Sequence, residues 1–145
     1  LIPGAAHWPT FERNYSEQFE ARLVNVKVMD SPSIFFAGMA GAMLPIVNSH
    51  GEGRAYWKNQ EDEAEAIAAA CYADSKQMPT EVYPLNPNGS PMGKTAFTTP
   101  DGRATIMMPH PERSWRAVQL SWRSPLLEDV SPWARIFQNA RVWVG

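Results

Sequence analysis

The part of the sequence best suited to chemistry is a histidine held between two prolines and followed by a glutamate. Pro109 and Pro111 fix their own φ angles and favour extended backbone at the residues before them, including His110. Side chains two positions apart in extended backbone point the same way, so we expect Glu112 to contact the ring of His110. A carboxylate on one ring nitrogen leaves the other free to take a proton. The motif therefore predicts a catalytic base and its orienting acid, without a nucleophile.

A second polar segment follows an apolar strand predicted at residues 43–48. It consists of Ser49, His50, Gly51 and Glu52, with a further glycine after them. Glycines let a backbone approach a ligand closely and leave its amides free to bind. We expect this segment to hold a substrate. The alternative is an ordinary glycine turn after a strand.

The candidate nucleophiles are few. Cys71 is the only cysteine, and it lies in an alanine-rich stretch without an adjacent turn or helix start. Reactive thiols favour electropositive, accessible positions, so we expect Cys71 to be a small buried apolar residue. A hydrolase that pairs Cys71 with His110 remains an alternative. The three histidines lie far apart in sequence, and their spacing predicts no metal site.

Composition limits the classes of partner. The 145 residues are 44% hydrophobic and 19% charged, with a formal net charge of −2. No basic stripe indicates nucleic acid, and no apolar segment approaches the ~18 residues that span a bilayer. A single cysteine fits a reducing compartment. We expect one globular domain in the cytoplasm, with neither a nucleic acid nor a membrane as partner.

Hydrophobic periodicity and turn residues predict mixed helix and strand. Residues 1–18 are expected to be irregular, and a bulge is expected within the first strand near Leu23 and Val24. The last helix is predicted to follow Ser131 and Pro132, with an apolar stripe on one side. The tryptophans and methionines are expected in the core. Strands are predicted at 19–28, 43–48, 67–73, 80–83, 95–98 and 103–108, and helices at 33–37, at 60–65 and, from helical spacing, around 115–122.

The order of several motifs along the whole chain resembles one family. These motifs are Phe-Glu-Ala-Arg at 19–22, Ser-His-Gly-Glu-Gly-Arg at 49–54, Asn-Pro-Asn-Gly-Ser-Pro at 86–91, Met-Met-Pro-His-Pro-Glu-Arg at 107–113 and Asn-Ala-Arg at 139–141. They are similar to the C-terminal end of the large, single-chain phosphoribosylformylglycinamidine synthases. The Pro-His-Pro-Glu element alone resembles the wider class I glutamine amidotransferases.

The resemblance implies an α/β fold, the C-terminal part of a flavodoxin-like class I glutamine amidotransferase domain. Such a domain has three layers, a mixed, mostly parallel central sheet and an added β-hairpin. The family uses ATP and glutamine to convert formylglycinamide ribonucleotide into its amidine. The implied partners are glutamine and a synthetase domain of the same polypeptide. ATP and Mg²⁺ would belong to the full enzyme, and no cofactor is expected within these residues.

The resemblance also assigns residue roles. His110 would be the base and acid, Glu112 its orienting partner, and residues 49–52 the backbone site for glutamine. The family's cysteine elbow precedes the stretch that matches Leu1, so residues 1–145 are expected to be a partial domain, inactive alone, without its N-terminal strands and nucleophile. The competing hypothesis is a non-catalytic α/β interaction module in which the histidine motif only closes a strand.

Overall fold

The computed structural model describes residues 2–145. The α-helices described in this range are Gln60–Glu65 (α1) and Ala134–Val144 (α2), and single 3-10 turns occur at Ile34–Phe36, Pro91–Gly93, Pro111–Arg113 and Ala117–Gln119. The strands are Thr10–Arg13 (β1), Glu20–Val28 (β2), Met43–His50 (β3), Glu52–Tyr56 (β4), Ile67–Tyr72 (β5), Lys94–Thr98 (β6) and Thr105–Met107 (β7).

The main sheet has the strand order β3-β2-β5-β6-β7, and β1 pairs with β4 in a second, small sheet. Every strand pair in residues 2–145 is antiparallel, so the predicted mostly parallel pairing is wrong for these strands. Parallel neighbours need a crossover of a dozen or more residues. Only six residues join β6 to β7. Between β2 and β3, Val28 exchanges backbone hydrogen bonds with Gly41 and Ala42, which closes a wide hairpin.

The main sheet buries both of its faces, which gives the predicted three layers. Alternation along β6 points Ala96 into one core and Phe97 into the other. The first core contains Val24, Val26 and Ile46 from β2 and β3, together with Trp133 and Ile136 at the start of α2. The second core is smaller, and Phe97 packs there on Phe11, Trp57, Ala55 and Ala66.

The C-terminal helix is attached to β3 by a buried tryptophan. Trp133 is 1% exposed, and its indole Nε1–H donates to the Pro45 carbonyl at 2.7 Å. The predicted apolar stripe is only partly buried, since Phe137 and Val144 remain exposed. The prediction that the tryptophans and methionines lie in the core is also wrong for five exposed residues, which are Trp115, Trp122, Trp143, Met78 and Met92.

Several local predictions are confirmed. The strand at 67–72 follows α1, whose N-cap Asn59 accepts a hydrogen bond from the Asp62 amide through its side chain. β2, β6 and β7 lie where the alternation and the turn at residues 100–102 indicate. α2 starts just after Ser131 and Pro132. The helix predicted at 33–37 is confirmed only in part, since the structure has a single 3-10 turn at Ile34–Phe36.

Other local predictions are wrong, and each failed for a physical reason. The prediction that residues 1–18 are irregular is wrong, because they contain β1. β1 and β4 pair only with each other across 38 intervening residues, and such long-range pairing leaves little local signal. The expected bulge in β2 is absent, because β2 and β3 pair in one continuous register from Glu20 to Lys27. Residues 80–83 form no strand, and only Pro79 makes an isolated bridge, to Ala73. The region 115–122 holds one 3-10 turn, with Val118 exposed.

The described helices include none that is both long and apolar enough to cross a membrane.

Replacing Trp133 by Phe tests the attachment of α2. The variant removes the indole donor to the partly buried Pro45 carbonyl and reduces the packing of a buried side chain, and we expect it to lower the free energy of unfolding by about 1–3 kcal/mol in urea denaturation. The control is Trp143→Phe on the exposed side of the same helix, expected to stay within about 0.5 kcal/mol of the wild type. Equal losses from both variants would contradict the attachment.

Candidate functional site

The chain at residues 109–113, called here the histidine segment, lies against the outer edge of β3. The His110 amide donates to the Val47 carbonyl at 2.8 Å, which makes an isolated antiparallel bridge. The other edge of β3 pairs with β2. His110 is thus held at the margin of the main sheet, directly before the 3-10 turn Pro111–Arg113.

The predicted contact between histidine and glutamate is present. Nδ1 of His110 and Oε1 of Glu112 are 2.6 Å apart, and the side chains are 27% and 57% exposed. The prediction of extended backbone through this motif is wrong in part, because Glu112 lies in the 3-10 turn. A proton on Nδ1 donates to the carboxylate, which leaves Nε2 as the acceptor. The arrangement is that of a general base with an orienting acid.

Ser114 fixes the histidine segment, and the sequence analysis missed it. Its hydroxyl donates to the His110 carbonyl at 2.9 Å and accepts from the Val47 amide at 3.0 Å. Ser114 is fully buried, and its own carbonyl accepts a short hydrogen bond from the Ser131 hydroxyl. A lone serine four residues after the histidine gave no recognisable signal, because its partners are 67 and 17 positions away.

The predicted binding residues 49–52 are a junction between two strands rather than an open loop. β3 runs through Ser49 and His50, Gly51 turns the chain, and β4 begins at Glu52. The structure brings Ser49 to the histidine segment, since Arg113 donates to its hydroxyl at 3.1 Å. The role of these four residues in binding stays a prediction.

A buried asparagine holds this junction from the other side. Asn14 is 2% exposed; its side-chain amide donates to the His50 carbonyl at 2.8 Å, and its backbone amide donates to the Gly51 carbonyl at 2.9 Å. The predicted irregularity of residues 1–18 gave no reason to single it out. The junction is therefore fixed by hydrogen bonds on both of its sides.

The imidazole of His50 is buried beside His110. His50 is 8% exposed, and the two ring centroids are 6.5 Å apart. Burial lowers the pKa of His50 from 6.5 to about 4, with a further lowering from the nearby His110 charge, while the Met108 backbone and Glu20 raise the pKa in part. His50 is therefore neutral at pH 7, and its ring is not open to a ligand.

Gly53 makes room for that ring. A Cβ at Gly53 would lie 2.1 Å from Nε2 of His50, far inside van der Waals contact. A Cβ at Gly51 would meet nothing closer than 3.9 Å, an ordinary contact with Phe19. Of these two glycines, only Gly53 is required by the packing to lack a side chain.

Cys71 is a buried core residue, as predicted. It is 3% exposed, and burial raises the pKa of its thiol to about 11, against a smaller opposite effect of Lys94. A thiol with that pKa is almost entirely protonated at pH 7 and is a poor nucleophile. The hydrolase alternative that relies on Cys71 therefore has no support.

Within residues 2–145 no three His, Cys, Asp or Glu side chains are grouped closely enough to hold a metal ion.

The fold and the histidine–glutamate pair define a class of protein. Residues 1–144 match the model of the CobB/CobQ-like glutamine amidotransferase domain, and the chain belongs to that family. The fold is similar to that of a chain in the structure of PurLQS from Thermotoga maritima, with a TM-score of 0.67 and 21% sequence identity. The predicted class I glutamine amidotransferase fold is thus confirmed.

That likeness covers 94% of this chain and 53% of the PurLQS chain. These residues therefore span about half the length of the PurLQS chain to which they are similar.

Adding a methyl group at Gly53 tests the packing of His50. Gly53→Ala forces the imidazole or the strand to move, and we expect a loss of about 1–3 kcal/mol in the free energy of unfolding by urea denaturation. Gly51→Ala is the matched control and should stay within about 0.5 kcal/mol. A neutral Gly53→Ala would show that the ring does not occupy this position.

The low pKa of His50 predicts how stability depends on pH. Between pH 6.5 and about 4 the unfolded state binds a proton on His50 that the folded state excludes. The contribution of the neutral His50 ring to the free energy of unfolding is therefore complete above pH 6.5. It is lost as the pH falls toward about 4, by up to about 3 kcal/mol. The measurement compares urea denaturation at several pH values for the wild type and His50→Asn. We expect a shallower pH dependence in the variant, and parallel curves would contradict the assignment.

Proposed function

We propose that this chain supplies the base and the orienting acid of a glutaminase site. The observation that carries the proposal is the 2.6 Å contact between His110 Nδ1 and Glu112 Oε1 in a chain of the glutamine amidotransferase family. A histidine with its carboxylate is two thirds of a nucleophile–base–orienter triad. The proposed nucleophile is a cysteine located before Leu1 in the complete polypeptide, since the protonated Cys71 does not suit that role.

The proposed reaction follows from the free Nε2 of His110. Nε2 takes the proton from the incoming thiol, and the thiolate sulfur bonds to the side-chain amide carbon of glutamine. The C–N bond then breaks, and His110 returns the proton to the departing ammonia. Water hydrolyses the thioester to glutamate, again with His110 as the base. Glu112 stabilises the imidazolium formed in each step. The oxyanion donors are proposed to lie near the nucleophile, outside this chain.

Glutamine is proposed to bind at Ser49, His50, Gly51 and Glu52 through backbone groups. Two observations support this position. Arg113 joins Ser49 to the histidine segment, so a ligand here would lie near the catalytic ring. Asn14 holds the carbonyls of His50 and Gly51, which gives a rigid platform for recognition.

The proposed overall activity is that of a phosphoribosylformylglycinamidine synthase in purine biosynthesis, a cytoplasmic ligase. The order of motifs along the chain supports it, and so does the fold shared with PurLQS. In this proposal the ammonia passes to a synthetase domain of the same polypeptide. ATP and Mg²⁺ would bind there, and residues 1–145 alone would be inactive.

Removing the imidazole tests the proposed function. His110→Ala in the complete polypeptide should abolish glutamine hydrolysis, because no other group takes the thiol proton. Synthesis from added ammonium salt should persist, since it bypasses the glutaminase step. Glu112→Gln should lower kcat for glutamine by roughly 100-fold or more. Glutamate release and ammonia-dependent product formation are the two measurements.

The control is a second histidine–carboxylate pair in the same chain. His7 Nδ1 lies 2.7 Å from Oδ1 of Asp62, a residue of α1, and His7→Ala should leave both activities unchanged. Equal loss of both activities in His110→Ala, or retention of glutamine hydrolysis, would contradict the proposal. Retention would favour the non-catalytic interaction module.

A further inference from the structure

An open apolar groove lies between α2 and the chain near residues 115 and 130. Two adjoining clefts of about 400 and 470 Å³ form it, and both are lined by Val130, Ala134 and Gln138. Phe137 and Val130 are each 49% exposed, and Trp115 in the same cleft as Phe137 is also exposed. Contiguous exposed apolar surface marks an interaction site, whereas single exposed residues are ordinary. The groove is therefore a candidate interface.

One wall of the groove is fixed to the histidine segment. Trp115 directly follows Ser114, whose hydroxyl donates to the His110 carbonyl at 2.9 Å. The Trp115 carbonyl accepts from the Ser131 amide at 2.8 Å, next to Val130. The groove thus adjoins the backbone that carries the candidate base.

The groove also adjoins the edge strand of the main sheet. Leu44 of β3 lines one of the clefts. Pro45 has no amide hydrogen, and its carbonyl accepts from the Trp133 indole. The amide of Val47 accepts no further strand because it donates to Ser114, and its carbonyl is bound by the histidine segment. An occupant of the groove would therefore bind through apolar side chains rather than by pairing with β3 at these residues.

The comparison with PurLQS indicates which occupant to expect. The likeness covers 94% of this chain and 53% of the PurLQS chain, so close to half of that chain has no counterpart in residues 1–145. The proposed nucleophile comes from a part of the polypeptide before Leu1, and its sulfur must come within hydrogen-bond reach of His110 Nε2. That part must pack at the margin of the main sheet where His110 lies, and the groove is an exposed apolar surface beside this margin.

We infer that the groove is the docking surface for the part of the glutaminase domain that carries the nucleophile. In the complete polypeptide this part covers Trp115, Val130 and Phe137 with apolar side chains. The inference rests on the proposed function, since it takes the nucleophile from the same polypeptide. It adds the surface on which the two parts of the glutaminase site meet.

Photo-crosslinking in the complete polypeptide identifies the occupant. Phe137→p-benzoylphenylalanine extends the ring of Phe137 by a photoreactive ketone inside the groove. We expect irradiation to join Phe137 to residues of the same polypeptide that precede Leu1 within the glutaminase domain, as mapped by peptide mass spectrometry. The control carries the same probe at Trp143, which is exposed on α2 but lines a different cleft. The control should not yield those adducts.

A charged variant tests whether docking matters for catalysis. Phe137→Glu places a carboxylate without a partner in an apolar interface, which costs free energy. We expect kcat/KM for glutamine hydrolysis to fall roughly 10-fold or more, because the nucleophile is displaced from the base. Ammonia-dependent synthesis should persist. Trp143→Glu is the matched control and should leave both activities unchanged.

The outcomes separate this inference from the proposed function. Adducts of Phe137 with a second copy or with the synthetase domain, no adduct at all, or unchanged hydrolysis in Phe137→Glu would each overturn the docking surface. These results would leave the proposed function standing if His110→Ala still abolishes glutamine hydrolysis. Retained hydrolysis in His110→Ala would overturn the proposed function, whatever the Phe137 probe captures.

Discussion

The backbone bridge between Val47 and His110 is the interaction on which the site depends. It uses the free edge of β3, so the histidine segment is placed by the same strand that forms the core. Ser114 closes the bridge from the other side through hydrogen bonds to both residues. Without these contacts, the proline-flanked motif would be stiff but would have no fixed place on the sheet. The local rigidity of the motif and its long-range attachment are thus separate requirements.

The face of the sheet behind this bridge changes from apolar to polar within one strand. β3 places Ile46, Asn48 and His50 on the same buried side, opposite Val24, Arg22 and Glu20 of β2. The apolar end anchors the helix layer, and the polar end surrounds the candidate site. Burying these polar groups is unfavourable unless they are hydrogen-bonded, and Asn48 is paired with the Glu20 carbonyl and the Tyr72 hydroxyl.

The sequence predicts what depends on neighbours in the chain. Glu112 reaches His110 because two positions separate them, and α1 follows from its cap and its helix-forming residues. The missed elements depend on distant partners: β4 needs β1, Ser114 needs Val47, and Asn14 needs His50. The bulge expected near Leu23 has the same origin. Glu20 is polar yet buried and Arg22 is partly buried, and only the pairing with β3 shows that they share a face with Val24.

The C-terminal helix is joined to the histidine segment from two directions. Ser131 donates to the Ser114 carbonyl, and Trp133 donates to Pro45 on the strand that carries Val47. Detachment of the helix would break both links together. α2, β3 and the turn after His110 therefore form one cooperative unfolding unit. The imidazole therefore keeps its place only while a helix at the far end of the chain remains docked.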